Sequence, residues 1–188
     1  MARPAWAGEG LAVDDREKGL QAEAVDPTLA DLFHTGSVIE NLVATTRDGV
    51  IAEVVKAVAD KGLISDARWL ESALTERERM VPTAMPNGVA FMHARHRAAE
   101  KFPRQFLFLA RSMDGVAFGS PDDRPTHLFF LLALRKDMAH LRWLARLSWI
   151  CRNRTSIANL LKAATGEDIA RVLRLAVEEL PGNLKQRA

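Results

Sequence analysis

Two rhythms of apolar and polar positions run along this chain. From about Asp48 to Lys61 the apolar residues Val50, Val54, Val55 and Val58 recur every three or four positions, the spacing of one helix face, and Gly62 follows where a glycine C-cap belongs. The stretch "SDARWLESALTERERM" (65–80) keeps the same spacing through Leu70, Ala73 and Leu74, with Ser65 or Asp66 placed to cap it. A third helix is predicted from near Asp137, and "TSIANLLKAA" and "GEDIARVLRLAVEEL" predict two more, with Thr155 and Gly166 near their starts. Short apolar runs follow a different logic. "SVIENLVA" (37–44), Val89–His93, Phe106–Arg111 and His127–Leu134 are strand-like in length and composition. Turn signals separate them: Pro82, Pro86, Asn87 and Gly88, then "DGVAFGSPDDRP".

Strands and helices mixed in short units predict an α/β chain, a single-domain mixed β-sheet flanked by helices. No internal repeat divides it, and its Pro/Gly loops are too short to be linkers between domains. Residues 1–26 stand apart. They are rich in Ala, Gly, Glu and Asp and poor in large apolar residues, so they read as a weakly structured extension with a short helix from Asp15 to Ala24, and the globular part is expected to span 27–182.

Composition narrows the functions. Of 188 residues, 48% are hydrophobic, enough for a substantial core. A net charge of +2 is too balanced to argue for nucleic acid. The one cysteine, Cys151, permits no intramolecular disulfide, fits a reducing compartment and sits in an apolar helical setting that suits a small buried thiol. No segment reaches the about 18 apolar residues of a membrane helix, and no basic N-terminus precedes an apolar run, so a cytoplasmic protein without direct membrane insertion is expected.

Three residues break the rule of their surroundings. Arg77 lies three positions past Leu74 and seven past Leu70, so it continues an apolar stripe. It either holds an anion there or snorkels from the last helical turn. His140 shares a stripe with Leu144, Leu147 and Cys151 in the first turn of its helix. First-turn amides have no intrahelical partner, so an imidazole beside them is placed to hold an anion; a hydrogen-bonded core histidine is the other reading. His93 ends a strand-like run and opens "HARH". On an extended chain it faces the same way as Phe91, with Arg95 following on its side, and nearby cations would favour the neutral, nucleophilic ring.

A nucleophilic imidazole, a second imidazole at a helix start and an arginine are the parts needed to receive a phosphoryl group on nitrogen, a step that depends on positioning and charge stabilisation. No Walker loop, GxGxxG or cluster of metal-binding carboxylates competes, and no cofactor is called for. His93 and His96 form H-x-x-H, but on an extended chain their rings point to opposite faces and no third ligand is evident, so no metal site is expected. His34 and His127 read as ordinary structural or surface histidines.

The stretch "ALTERERMVPTAMPNGVAFMHARH" (73–96) resembles the active-site segment of the fructose/mannitol-type enzyme IIA domains of the bacterial phosphotransferase system, the group that includes the nitrogen-regulatory IIA proteins. Glu76-Arg77-Glu78, Thr83 and Gly88 to Arg95 fill the places of the family's E-R-E, Thr and G-V-A-I-P-H-A/G-R/K pattern, and "MAHLRWLARLS" (138–148) resembles its H-L-x-x-L-x-x-L helix. The chain departs from the pattern at Met92, where proline is usual, and at Asp123-Arg124-Pro125, where Asp-Gly is usual. The resemblance implies that His93 accepts a phosphoryl group from an HPr-like phosphocarrier, with His140 and Arg77 supporting it and Thr83 and Arg95 in further phosphate-supporting places. It implies a IIB domain or a regulatory target protein as the next partner. A regulatory binding module, phospho-state-dependent or unable to be phosphorylated, is the competing function.

Overall fold

The computed structural model describes residues 26–34, 36–94 and 99–185. Five strands form one sheet in the order β1-β4-β5-β3-β2: β1 Val38–Ile39, β2 Ala84–Met85, β3 Val89–Met92, β4 Phe106–Val116 and β5 Thr126–Ala133. The sheet is mixed. β3 runs parallel to β5, β1 parallel to β4, and the β4–β5 and β2–β3 pairs are antiparallel. Among the described residues six α-helices flank it: α1 Leu29–Leu32, α2 Arg47–Asp60, α3 Ala67–Met80, α4 Asp137–Arg152, α5 Arg154–Lys162 and α6 Gly166–Glu178. This is the α/β architecture that the sequence predicts.

The strands are apolar on both faces because helices cover both faces. Ala90, Met92, Phe108 and Phe129 point into a core completed by α2 and α3, through Val50, Val54, Leu70 and Leu74. Val89, Phe91, Leu109 and Phe130 point the other way, against Trp143 and Leu147 of α4, Leu160 of α5 and Leu173 of α6. Period-two alternation along each strand sorts its residues between the two layers.

Capping decides where the helices start. Thr46, Asp66 and Thr165 accept first-turn amides at the starts of α2, α3 and α6, and Asn153 accepts two at the start of α5. Asp66, not Ser65, is thus the cap of α3. Gly62 follows α2 with φ at +65°, a left-handed conformation that glycine adopts without steric cost. α4 differs: Lys136 occupies its N-cap and makes no side-chain cap bond.

Several elements differ from the sequence reading: α1 has no counterpart in it, and β4 runs on to Val116 where only Phe106–Arg111 is expected. The strand expected over 37–44 is only Val38–Ile39, because side chains take over its backbone partners: Glu53 accepts the Val43 and Ala44 amides, and Asn41 accepts the amide of Met113. The two-residue β2 has no apolar rhythm of its own and exists by pairing with β3 across a turn at Gly88, whose φ of +77° suits glycine. The carbonyl of Gly88 also accepts the amides of His127 and Leu128, which registers β3 against β5.

α4 is secured at both ends of the described chain. Asp26 pairs with Arg142 at 3.0 Å and Arg146 at 3.2 Å, and the buried Arg146 also donates from Nε to the carbonyl of Leu184 at 2.9 Å. The helix Asp15–Ala24 and nearly all of the 1–26 extension lie outside the described residues.

Candidate functional site

β3 ends at Met92, so His93 stands just past the strand, at the rim of the sheet. The last turn of α3 reaches this rim from one layer and the first turn of α4 from the other. His93, Arg77 and His140 therefore meet although 63 positions separate the first of them from the last.

His93 is half-buried and its two ring nitrogens have different neighbours. Nδ1 lies 2.8 Å from the carbonyl oxygen of Phe91. A carbonyl only accepts, so Nδ1 carries the proton and Nε2 keeps its lone pair. Arg77 Nε donates to that Nε2 at 3.4 Å, a long hydrogen bond, and Arg77 Nη1 donates to the carbonyl of Val81. His140, 6% exposed, places its ring centroid 5.2 Å from that of His93 at an interplanar angle of 63°.

Arg77 is half-buried rather than enclosed on the apolar stripe. The buried residues of α3 are Leu70, Leu74 and Glu78, spaced four apart, so the charge enclosed on that stripe is a carboxylate. Glu78 is 1% exposed. It accepts the backbone N–H of Thr83 at 2.8 Å on Oε2 and the hydroxyl of Thr83 on Oε1. Burial pushes its carboxyl above the usual carboxylate range, against the lowering effect of those two bonds and of the nearby Arg77 and Arg47. Sequence reasoning placed Glu78 only as a letter in E-R-E; the 70-74-78 spacing was the signal that would have shown it inside.

Thr83 is buried beside the site, and both of its donors point at Glu78. A hydroxyl has one proton, so in this arrangement Thr83 has none to offer an anion at His93. Arg95 and His96 lie outside the described residues. His127 bonds through Nδ1 with the Ser112 carbonyl, at 3.1 Å, and His34 is exposed. Among the described residues no three His, Cys, Asp or Glu side chains gather as a metal site, and no helix is long and apolar enough to cross a membrane. Burial alone pushes the Cys151 thiol up to about 12, which makes it inert.

Exposed apolar side chains occur on the two helix ends that carry Arg77 and His140. Met138 and Leu141 project from the first turns of α4, 59% and 58% exposed, and Met80 and Val81 from the end of α3, 47% and 61% exposed. Exposed apolar side chains on these helix ends suit contact with another macromolecule.

Comparison with known proteins bears on this geometry. The family model for the phosphoenolpyruvate-dependent sugar phosphotransferase system, EIIA 2, matches residues 31–175. A fructose-specific EIIA component of Haloferax volcanii is 30% identical over 135 residues, covering 71% of this chain and 86% of the relative. A fructose-specific EIIABC component of Bacillus subtilis is 26% identical over 147 residues; the match covers 77% of this chain but spans only 23% of that longer protein. Among solved structures, the nitrogen regulatory protein IIA-Ntr of Neisseria meningitidis superposes with a TM-score of 0.67 at 19% identity, covering 74% of this chain and 94% of that one. The complex of enzyme IIAMTL with phosphorylated enzyme IIBMTL of Escherichia coli gives 0.66 at 17% identity, covering 76% and 96%. At such identities the structural matches speak for the fold.

Proposed function

The chain belongs to the EIIA 2 family of the phosphoenolpyruvate-dependent sugar phosphotransferase system, and on that premise we propose that His93 is its phosphoryl acceptor, loaded through Nε2 by an HPr-like phosphocarrier. One observation carries the assignment to this atom: Nδ1 meets the Phe91 carbonyl, while the lone pair of Nε2 faces the Nε–H of Arg77 beside the ring of His140.

In the proposed step the Nε2 lone pair attacks the phosphorus of the carrier's phosphoryl group. The new P–N bond forms as the carrier's P–N bond breaks, and the electron pair leaves with the carrier's imidazole. The His93 ring keeps its Nδ1 proton, and the Phe91 carbonyl stabilises the positive character that the ring gains. The guanidinium of Arg77 turns from Nε2 to the phosphoryl oxygens, where its fork of donors spreads their charge. His140 provides a second donor from α4, next to first-turn amides that attract anions. The exposed Met138 and Leu141, in the turns of α4 around His140, and Met80 and Val81, following Arg77, support delivery by a protein rather than by a free nucleotide. The phosphoryl group then passes to a IIB domain in sugar uptake, or remains as a signal for a regulatory target in the nitrogen-regulatory form.

Incubation with phosphoenolpyruvate and the upstream phosphocarriers, followed by intact-mass analysis, tests this reading. The wild type gains one acid-labile phosphate, His93→Ala gains none, and Arg77→Ala is phosphorylated about 100-fold more slowly with its circular dichroism unchanged. A wild type that takes no label from any phosphocarrier sinks the proposal and leaves the binding-module reading. Pull-downs with the phosphorylated and unphosphorylated protein then distinguish a IIB domain from a regulatory target.

A further inference from the structure

β2 and β3 pair antiparallel with Ala84 opposite Ala90 and Met85 opposite Val89, so Thr83 lies opposite Phe91. Hydrogen-bonded opposite residues in such a ladder exchange two bonds, each amide donating to the other's carbonyl. Here one is made and the other is not. The amide of Phe91 donates to the carbonyl of Thr83 at 3.3 Å. The amide of Thr83, which the register would direct at the carbonyl of Phe91, donates instead to Oε2 of Glu78 at 2.8 Å. The carbonyl released in this way is the one that receives Nδ1–H of His93, also at 2.8 Å.

We infer that Glu78 is a positioning residue for phosphoryl transfer: by drawing the Thr83 amide out of the ladder it leaves the Phe91 carbonyl for His93, and so holds the ring in the tautomer that presents Nε2. The inference rests on the reading of His93 as the acceptor. Consecutive residues of α3 thereby serve the two nitrogens of one ring. Arg77 reaches Nε2 directly, and Glu78 acts on Nδ1 through Thr83 and the Phe91 backbone.

The location of Glu78 argues against a role in stability alone. It occupies the position where the 70-74-78 stripe would bury a leucine, and a carboxylate enclosed there is costly. The Thr83 hydroxyl, bonded to the second carboxylate oxygen, fixes the plane of the carboxylate so that Oε2 meets the amide.

Nitrogen-15 NMR of the His93 ring tests the inference without requiring phosphorylation. The wild type is expected in the Nδ1–H form. Glu78→Gln, which keeps an acceptor for the Thr83 amide, is expected to retain that form. Glu78→Ala, and Glu78→Leu as the variant that fills the space and protects the fold, are expected to return the amide to the ladder and give a mixture of tautomers. Phosphorylation of both should slow by about 100-fold with KM for the phosphocarrier unchanged. A folded Glu78→Leu protein whose His93 remains in the Nδ1–H form overturns the inference, even if the wild type is phosphorylated. A tautomer shift in a protein that takes no phosphate supports the positioning role while the proposed function fails.

Discussion

Glu78 is also where pH acts on this protein. Burial raises its carboxyl, so the folded chain binds that proton more tightly than the unfolded chain does. Its contribution to stability is then complete below the ordinary carboxylate value and is lost as pH rises through the raised folded value. Glu78→Gln cannot titrate. Urea denaturation at a series of pH values from about 4 to 8 should show the midpoint of Glu78→Gln gaining on that of the wild type as pH rises; a constant difference would mean that the carboxyl is not perturbed. Residues differ in how well a linear chain reveals them. Cys151 can be read as a buried thiol because Leu144 and Leu147 precede it on its helix face, and the fold encloses it. Arg77 and Glu78 are harder to separate: neighbours on a helix differ by about 100°, the 70-74-77 and 70-74-78 spacings both continue the stripe, and Glu78 is the one enclosed.

At the scale of elements, the longer helices are legible, and the four-residue α1 and the short strands are not. Helix periodicity needs only local residues, and each predicted helix from α2 to α6 is present. β1 was expected too long because a Val/Ile-rich run does not show that side chains such as Glu53 will claim its amides. β2 was missed because two residues carry no rhythm. The start of α4 yields a prediction of its own. Its N-cap, Lys136, makes no side-chain cap bond, in the turn that brings His140 to His93. Lys136→Ser would supply the missing acceptor and raise stability by about 1 kcal/mol in chemical denaturation. The same serine would compete for amides that attract an incoming phosphoryl group, so phosphorylation should slow as the helix gains stability. A variant both more stable and equally fast would show that the helix start plays no part in the transfer.

For the whole molecule, the decisive feature is one sheet covered on both sides. α3 lies in one layer and α4 in the other, and the end of β3 is where their tips come together. The exposed Met138 and Leu141 stand on that rim, so Leu141→Glu or Met138→Glu should raise KM for the phosphocarrier about 10-fold while leaving the His93 tautomer unmoved. An unchanged KM would place carrier docking elsewhere. The sequence by itself determined helices α2 to α6, the longer apolar strands and the family, and it offers the residues proposed to handle a phosphoryl group, because periodicity, caps and residue chemistry are local and written in order along the chain. Only the tertiary structure decided that the Thr83 amide leaves the ladder for Glu78, and that Nδ1 of His93 meets the Phe91 carbonyl while Nε2 faces Arg77. Those outcomes depend on strand register and on two helices arriving from opposite layers, and contacts between distant segments leave no spacing along the chain from which to read them.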